Sequence, residues 1–269
     1  MVSTSSASST SSSPGAGRLL DYWAIVYART WKGSLVSSFV TPLLYVVAMG
    51  VVLGGFIKSD PARLEGARSY LAFVAPGLLA AQSMQAVFGE LTYPVMGMVK
   101  WHKSYFGMIA TPLRVRDVAA AHLGYVLFRV ATTALVFMLV LAPFHVFATP
   151  LGAAGAFVVQ LLVGLAFATP IYALSAGLKD ESAFALVFRL GMMPLFLFSG
   201  AFFPISNLDP ALATIAKLTP LWHGVDLTRM LTVGHLEPGW ALVHVAYLLA
   251  LGALGWWLLL RRLGRRLVS

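Results

Sequence analysis

The sequence predicts an all-α integral membrane protein with six transmembrane helices and both termini in the cytoplasm. Of the 269 residues, 59% are hydrophobic and only 11% are charged, and the mean hydropathy is +0.81. A chain of this composition has too few polar side chains to cover itself in water. Six stretches are apolar and long enough to cross a bilayer. The distribution of Lys and Arg then sets the orientation.

The N-terminal part of the chain divides into a tail and an interfacial helix. Residues 1–17 are rich in Ser and Thr and contain no apolar run, so we expect a disordered cytoplasmic tail. Residues 17–32, GRLLDYWAIVYARTWK, place apolar and aromatic side chains between charges. This pattern is typical of an amphipathic helix that lies on the inner leaflet.

Six apolar stretches follow, each close to the roughly 20 residues that a helix needs to cross a bilayer. The third and the fourth predict a helical hairpin, because only PFHVFATP separates them. Residues 18–262 form the predicted transmembrane domain, and the basic residues 263–269 form a cytoplasmic tail. The predicted spans are Ser34–Phe56, Tyr70–Thr92, Val118–Ala142, Leu151–Ala176, Ala183–Phe203 and Trp240–Leu260.

Three connections between the spans carry further signals. The link after the second span, YPVMGMVKWHKSYFGMIATPLRVRD, is too apolar for a free loop and too charged for a span, so it predicts a short helix followed by a turn at ATPL. The segment GLKDES after the fourth span predicts a tight polar turn. The outer segment Pro204–Gly239 contains two amphipathic runs, ALATIAKL and LWHGVDLTRML. Both are too short to span and predict short helices at the outer interface.

The net charge of +9 is explained by the orientation of the chain in a membrane. With both termini inside, twelve of the 19 Lys and Arg residues lie on the cytoplasmic side, five on the outer side and two within spans. This bias follows the positive-inside rule. The basic residues do not form the patch with base-reading side chains that nucleic-acid binding requires, so no nucleic-acid partner is expected.

Several kinds of chemistry are excluded by the residues present. The chain has no cysteine, and no Gly-Lys pair for a phosphate-binding P-loop occurs in it. His223 and Asp226 share a helix face but lack a third ligand nearby, so no metal site is expected. One enzyme remains as an alternative, a six-span intramembrane serine hydrolase with Ser199 as nucleophile and His244 as base. A channel or a scaffold is the third possibility.

Three ionisable residues fall inside predicted spans, where a charge is costly unless it is paired or hydrated. Glu90 lies near the inner end of the second span, and Arg189 and Arg129 lie roughly 10 Å and 17 Å from the inner ends of theirs. Glu90 can therefore pair with either arginine. A structural ion pair, a gating element and a substrate contact all remain open as its role.

The link KWHKSYFGMIATPLRVRD and the outer run PLFLFSGAFFPISNLDPALATIAKLTPLWHGVDLTR, together with six spans, resemble the permease subunits of ABC type 2 exporters. The branch with the strongest resemblance includes nodulation-factor (lipo-oligosaccharide) exporter permeases and daunorubicin-type drug exporter permeases. The resemblance covers about residues 18–262. It implies a homodimeric pair of such permeases with two separate ABC ATPase subunits, which hold the ATP and Mg²⁺, so that this chain has no cofactor of its own.

The resemblance also implies where the ATPase and the cargo are contacted. The interfacial helix, the link and the turn after the fourth span would contact the ATPase, and short re-entrant helices after the fifth span would cap the cargo path. The implied coupling residues are Lys100, Trp101, Lys103, Tyr105, Phe106, Thr111, Pro112, Arg114, Asp117, Lys179 and Asp180. The implied exit-gate residues are Ser199, Gly200, Phe202, Phe203, Pro204, Pro220, His223, Asp226 and Arg229.

One departure from the family pattern concerns the link. Many relatives carry an acidic residue there, whereas this chain has KWHKSYFGM without a carboxylate. The polar contacts with the ATPase are therefore expected to differ. The resemblance further implies export of an amphipathic or lipid-linked cargo by alternating access, in the cytoplasmic membrane of a bacterium and in contact with membrane lipids.

Overall fold

The computed structural model describes residues 15–53 and 64–268, and the predicted all-α character is confirmed over these residues. The predicted tail lies largely outside the described residues, as do residues 54–56 of the first predicted span. The α-helices are α1 (Gly15–Tyr45), α2 (Tyr70–Leu91), α3 (Tyr93–Met96), α4 (Ser104–Ile109), α5 (Val115–Leu141), α6 (Pro150–Gly177), α7 (Ser182–Leu186), α8 (Met193–Phe198), α9 (Pro210–Lys217), α10 (Pro220–Val233) and α11 (Pro238–Val268).

Four helical stretches within the described part of the chain are long and apolar enough to cross a membrane, as expected for a multi-pass membrane protein. Two shorter apolar helices, Phe39–Met49 and Ser182–Phe198, fall on the first and fifth predicted spans. The four long stretches are Tyr70–Trp101, Val115–Phe144, Pro150–Gly177 and Pro238–Val268.

Helix α6 is the centre of the bundle. It packs along most of α11 and also contacts α10, α2 and α5, while α1 packs against α5. The apolar part of the stretch that begins with α2 is 78% buried, whereas that of α11 is only 28% buried. Helix α2 is thus enclosed by protein, and α11 offers most of its apolar surface to lipid or to another subunit.

Three helices depart from α-geometry at a short distance from a proline. Proline lacks the backbone N–H of the helical ladder and its ring displaces the carbonyl four residues earlier, which favours the π-helical turns that precede Pro194. This steric effect does not reach the segments that follow Pro42 and Pro94. The π-helical segments and their prolines are Val46–Leu53 after Pro42, Gly97–Trp101 after Pro94, and Val187–Met192 before Pro194.

The N-terminal helix differs from its prediction. A separate interfacial helix is not present, because no proline interrupts α1 before Pro42 and the helix runs on into the first predicted span. Helix α2 ends at Leu91, next to the predicted end of the second span at Thr92, and α3 with its π-helical segment continues the helical path to Trp101. At the other end of the chain α11 is helical to Val268, and Leu263 and Leu267 are buried against the bundle.

The connecting elements follow the predictions more closely. The link forms the short helix α4 and then a turn at Ala110–Pro112, and the outer runs form α9 and α10. Each outer helix starts with a proline, whose missing N–H is not needed in the first turn, and the side chain of the preceding residue accepts a backbone hydrogen bond.

Candidate functional site

The link helix α4 is anchored in the bundle by Tyr105. This side chain is fully buried, and its hydroxyl bonds the Nδ1 atom of His122 on α5 and lies 2.5 Å from the hydroxyl of Tyr172 on α6. Burial raises the pKa of Tyr105 well above its ordinary value, so the phenol stays neutral. A predicted ATPase-contacting residue is therefore an internal connection between three helices.

An aromatic stack extends this connection to α1. The indole of Trp23 is buried and stacks on the ring of His122, at a centroid distance of 4.2 Å, and on the ring of Tyr125, at 4.6 Å. We call Trp23, Tyr105, His122, Tyr125 and Tyr172 the aromatic node. The node thus joins α1 to α5, and α4 to α5 and α6, by direct contact between side chains.

A second connection joins the link to the turn after α6. The Nζ atom of Lys100 donates to Glu181 over 2.7 Å and lies 3.7 Å from Asp180. The hydrogen bond from Lys100 lowers the pKa of the Glu181 carboxyl. Because these groups are exposed, the pair contributes little to stability and instead holds two surface segments next to each other.

The other predicted coupling residues lie around these two connections. Lys103 adopts a left-handed backbone conformation before α4, and the Asp117 carboxylate accepts from the backbone N–H of Arg114 over 3.0 Å at the start of α5. The Thr111 hydroxyl donates to the carbonyl of Met108. Exposed members of the set are Lys100, Trp101, Lys103, Phe106, Thr111, Pro112, Arg114, Lys179 and Asp180.

Of the three ionisable residues inside predicted spans, Glu90 pairs with Arg129. The Nε atom of Arg129 on α5 donates to Glu90 on α2 over 2.8 Å, and both side chains are mostly buried. Arg189 is exposed on the π-helical segment of the fifth predicted span. Deeper in the bundle, Gln160 bonds Ser83 and Thr228, so one amide joins α6 to α2 and α10.

The predicted exit-gate stretch contains a sharp turn. The helix of the fifth predicted span ends at Phe198, not at Pro204 as predicted, because Gly200 has a φ of +77° that a helix does not permit. Its carbonyl accepts from Nη2 of Arg229 over 2.6 Å. Helix α2 supports the same stretch through Gly77, where a Cβ would lie 2.4 Å from the Cα of Ala201.

Neighbouring residues of the stretch are also held by α2 and α8. The Tyr70 hydroxyl donates to the carbonyl of Phe202, and the Phe202 ring packs edge-on against Phe196 at 4.9 Å. Phe203 is half-buried, Pro204 is buried, and Pro220 begins α10. This arrangement fixes the stretch between the bundle and the outer helices.

Three polar residues of α10 and α11 form a chain of polar contacts in which both histidines are buried. The two Nδ1 atoms of His223 and His244 are 2.7 Å apart, and Nε2 of His244 lies 3.0 Å from the Asp226 carboxylate. The ring of Tyr247 stacks on His223 at 3.9 Å. Burial, with a smaller contribution from His244, lowers the pKa of His223 to about 4.

The stability of the protein should therefore depend on pH through His223. Below its ordinary pKa of 6.5 the unfolded chain binds a proton that the folded chain does not bind until about pH 4. The contribution of His223 to the free energy of unfolding is then fully present above pH 6.5 and is lost as the pH falls toward 4. Melting temperatures of the full chain in one detergent should show this slope, and His223→Gln should reduce it. The exposed His235 is the control, since His235→Gln should leave the slope unchanged.

The serine hydrolase alternative is not supported by this geometry. The hydroxyl of Ser199 donates to the carbonyl of Phe196 in its own helix, over 3.3 Å. Both ring nitrogens of His244 are engaged by His223 and Asp226. A nucleophile needs a base within hydrogen-bonding reach, and here the base is committed to other partners.

Sequence reasoning missed several residues that complete these sites. Trp23, His122 and Tyr172 were not singled out, although an aromatic residue or histidine within an apolar helix signals a polar group that needs a buried partner. Glu65, which accepts from Nη1 of Arg229 over 2.6 Å, lies in a polar loop with no distinguishing pattern. Gln160 was the one amide in an otherwise apolar, uncharged fourth span.

Comparison with known proteins gives consistent matches over most of the chain. Residues 18–232 match the family model described as ABC-2 type transporter. The chain is 29% identical over 220 residues to Nodulation protein J of Rhizobium leguminosarum bv. trifolii, covering 79% of this chain and 82% of that protein. It is 27% identical to Nodulation protein J of Neorhizobium galegae, with 80% and 83% covered, and 26% identical to that of Sinorhizobium fredii strain NBRC 101917 / NGR234, with 92% and 94% covered.

Proposed function

Because the chain belongs to the ABC-2 type transporter family, we propose that it is the permease subunit of an ATP-driven exporter for an amphipathic or lipid-linked cargo. The observation that carries the proposal is the family match over residues 18–232, which includes the link, the aromatic node and both outer helices. Members of this family are transmembrane subunits rather than enzymes. ATP and Mg²⁺ would bind to a separate ATPase.

The proposed topology has six spans with both termini in the cytoplasm. The four long apolar helices would cross the membrane together with Phe39–Met49 and Ser182–Phe198, which are extended by their neighbouring segments. The excess of Lys and Arg on one side supports this orientation. Helices α9 and α10 are 8 and 14 residues long, too short to span, and would be re-entrant at the outer side. The membrane would be the cytoplasmic membrane of a bacterium.

Two ABC ATPase subunits would bind at the cytoplasmic face of a pair of permeases, which we take to be a homodimer. The exposed residues around α4, together with the turn joined to it by Lys100 and Glu181, offer the contact surface. Closure of the ATPases would push on α4 and α1. The aromatic node would pass this movement to α5 and α6, because Tyr105 contacts His122 on α5 and Tyr172 on α6. Trp23 of α1 stacks on the same His122.

The cargo would move by alternating access between the two permeases. The two states would face inward and outward. ATP binding shifts the equilibrium between them if it stabilises one state by more than the difference in free energy that separates the two. The described spans offer an apolar surface with few charges, which suits a lipid-linked oligosaccharide, a glycolipid or a drug. The name Nodulation protein J of the relatives favours a lipo-oligosaccharide among these.

The proposal is tested by co-expressing the chain with an ABC ATPase encoded beside it. We expect the two to co-purify and, in proteoliposomes, to move a fluorescent short-chain glycolipid only when ATP and Mg²⁺ are present. The purified chain alone should hydrolyse no ATP. A Walker-A lysine variant of the ATPase is the matched control for transport. ATP hydrolysis by the isolated chain, or a chain that binds no ABC ATPase, would reject the proposal.

A further inference from the structure

An arginine-lined cavity lies at the C-terminal ends of α6 and α11. Its volume is about 410 Å³, which is within the range of small-ligand sites. Among the lining residues that the structure describes, three are arginines and none is a carboxylate. The lining residues are Leu174, Ala176, Gly177, Leu178, Arg262, Arg265 and Arg266.

The guanidinium groups are positioned by the end of α6. Nη1 of Arg266 donates to the carbonyls of Ala176, over 2.9 Å, and Leu178, while Nη1 of Arg262 donates to that of Ala173 over 3.5 Å. A guanidinium has five N–H donors, and these bonds use only Nη1 of each group. Arg265, on the same turn, is exposed.

Two exposed tryptophans locate the cavity relative to a bilayer. Trp240 and Trp257 on α11 are 52% and 47% exposed, and they lie about 26 Å apart along the helix axis at 1.5 Å per residue. Tryptophan is enriched at both interfaces of a membrane, whose hydrocarbon core is about 30 Å thick. Arg262 and Arg266 then lie roughly 8 to 14 Å beyond Trp257, at the level of the phosphates.

From this placement we infer that the cavity binds the phosphate of an anionic phospholipid of the cytoplasmic leaflet. The three arginines supply more positive charge than the single negative charge of a phosphodiester requires and offer several N–H donors to its oxygens, and basic pockets between transmembrane helices on this side are suited to such headgroups. Leu174 and Leu178 provide apolar surface for the adjoining acyl chains, which an acidic segment of a protein would not use. The inference rests on the orientation proposed above.

The chain contains a charge-matched control for this site. Arg261 lies next to Arg262, but its guanidinium is 3.7 Å from the ring centroid of Trp257 and is not among the lining residues of the cavity. Arg261→Gln therefore removes one charge from the same turn without changing the cavity. Arg265→Gln removes one charge within it, and Arg262→Gln with Arg265→Gln removes two.

The test measures binding of phosphatidylglycerol to the full chain in detergent by native mass spectrometry, with phosphatidylcholine as the neutral reference. We expect the double variant to bind phosphatidylglycerol roughly 10- to 30-fold more weakly, Arg265→Gln several-fold, and Arg261→Gln less than about twofold. Melting temperatures in phosphatidylcholine establish that each variant is folded. An excess of inorganic phosphate should compete poorly if the acyl chains take part, and full competition would indicate a free-phosphate site instead.

Three further outcomes would overturn the inference, and none of them depends on transport. The first is equal loss of phosphatidylglycerol binding in Arg261→Gln and Arg265→Gln, which would indicate a diffuse surface charge. The second is unchanged binding in the double variant. The third is unchanged lipid binding with loss of ATPase co-purification, which would place an acidic segment of the ATPase in the cavity. Failure of the ATPase to bind any variant, wild type included, would reject the proposed function but leave the lipid result valid.

Discussion

Tyr105→Ala is expected to lower the free energy of unfolding by about 3–5 kcal/mol, the usual cost of deleting a buried aromatic side chain. The phenol is fully buried and bonds groups on α5 and α6. Its removal leaves a cavity at the point where α4 meets the bundle. The measurement is unfolding of the purified chain by sodium dodecyl sulfate in mild detergent micelles, followed by tryptophan fluorescence.

Tyr105→Phe separates the hydroxyl from the volume of the ring. The ring still fills its site, but His122 and Tyr172 each lose a partner in a place that water does not reach. A buried polar group without a partner costs about 1–3 kcal/mol. We therefore expect a loss within this range, clearly smaller than that of Tyr105→Ala and with no change in the aromatic contacts.

Phe106 is the natural control, because it follows Tyr105 on the same short helix and is 37% exposed. Phe106→Ala should change stability by no more than about 0.5 kcal/mol. If the proposed ATPase contact is correct, Phe106→Ala should nevertheless reduce ATP-driven export by the co-purified complex. Equal stability of Tyr105→Ala and Phe106→Ala would contradict the internal role of Tyr105.

Tyr105 and Phe106 also illustrate what the sequence can predict about the fold. Runs of some 20 apolar residues predicted most of the helices, because the length of a span follows from the thickness of the bilayer. A six-residue helix such as SYFGMI carries too few turns for its apolar face to be identified. The burial of Tyr105 is decided by α5 and α6, which are distant in sequence and supply its polar partners.

The helix ends were the least predictable part of the fold for a related reason. Composition placed the end of the fifth span at Pro204, since proline cannot continue the helical ladder. The chain turns earlier because the Gly200 carbonyl points to a guanidinium 29 residues later, and glycine permits the positive φ that this requires. A long-range polar contact therefore overrode the local signal.

The candidate outer site shows the same limit. Arg229 was predicted to lie there, but its carboxylate partner was not, because Glu65 is 164 residues earlier in a loop without a periodic pattern. Arg229 is 5% exposed and packs on the Phe73 ring at 4.1 Å. Its burial lowers the pKa of the guanidinium, which shows that the charged form depends on these neighbours.

Glu65→Gln is expected to destabilise the protein by about 3 kcal/mol, the low end of the range for breaking a buried ion pair. The amide still accepts a hydrogen bond, and the Asp226 carboxylate and the Phe73 ring remain near the guanidinium. The charge of Arg229 is nevertheless left without its main counter-ion. Glu237 is an exposed carboxylate that lines the same cavity as Glu65 and Arg229, and Glu237→Gln should cost less than about 1 kcal/mol.

Arg229→Met should cost less than Glu65→Gln, because the two partners differ in exposure. The Glu65 side chain is 38% exposed and can be hydrated once it is alone, whereas the unpaired guanidinium would stay buried. Arg229→Met removes the hydrogen bonds to the carbonyls of Gly200, over 2.6 Å, and Phe73, over 3.4 Å. The Phe73 carbonyl belongs to α2, so the main remaining loss is the Gly200 carbonyl without its donor, about 1–3 kcal/mol. The double variant should then be more stable than Glu65→Gln alone, since it removes the buried charge together with its partner. Unfolding by sodium dodecyl sulfate measures all three variants, and a double variant whose loss equals the sum of the two single losses would contradict the pairing.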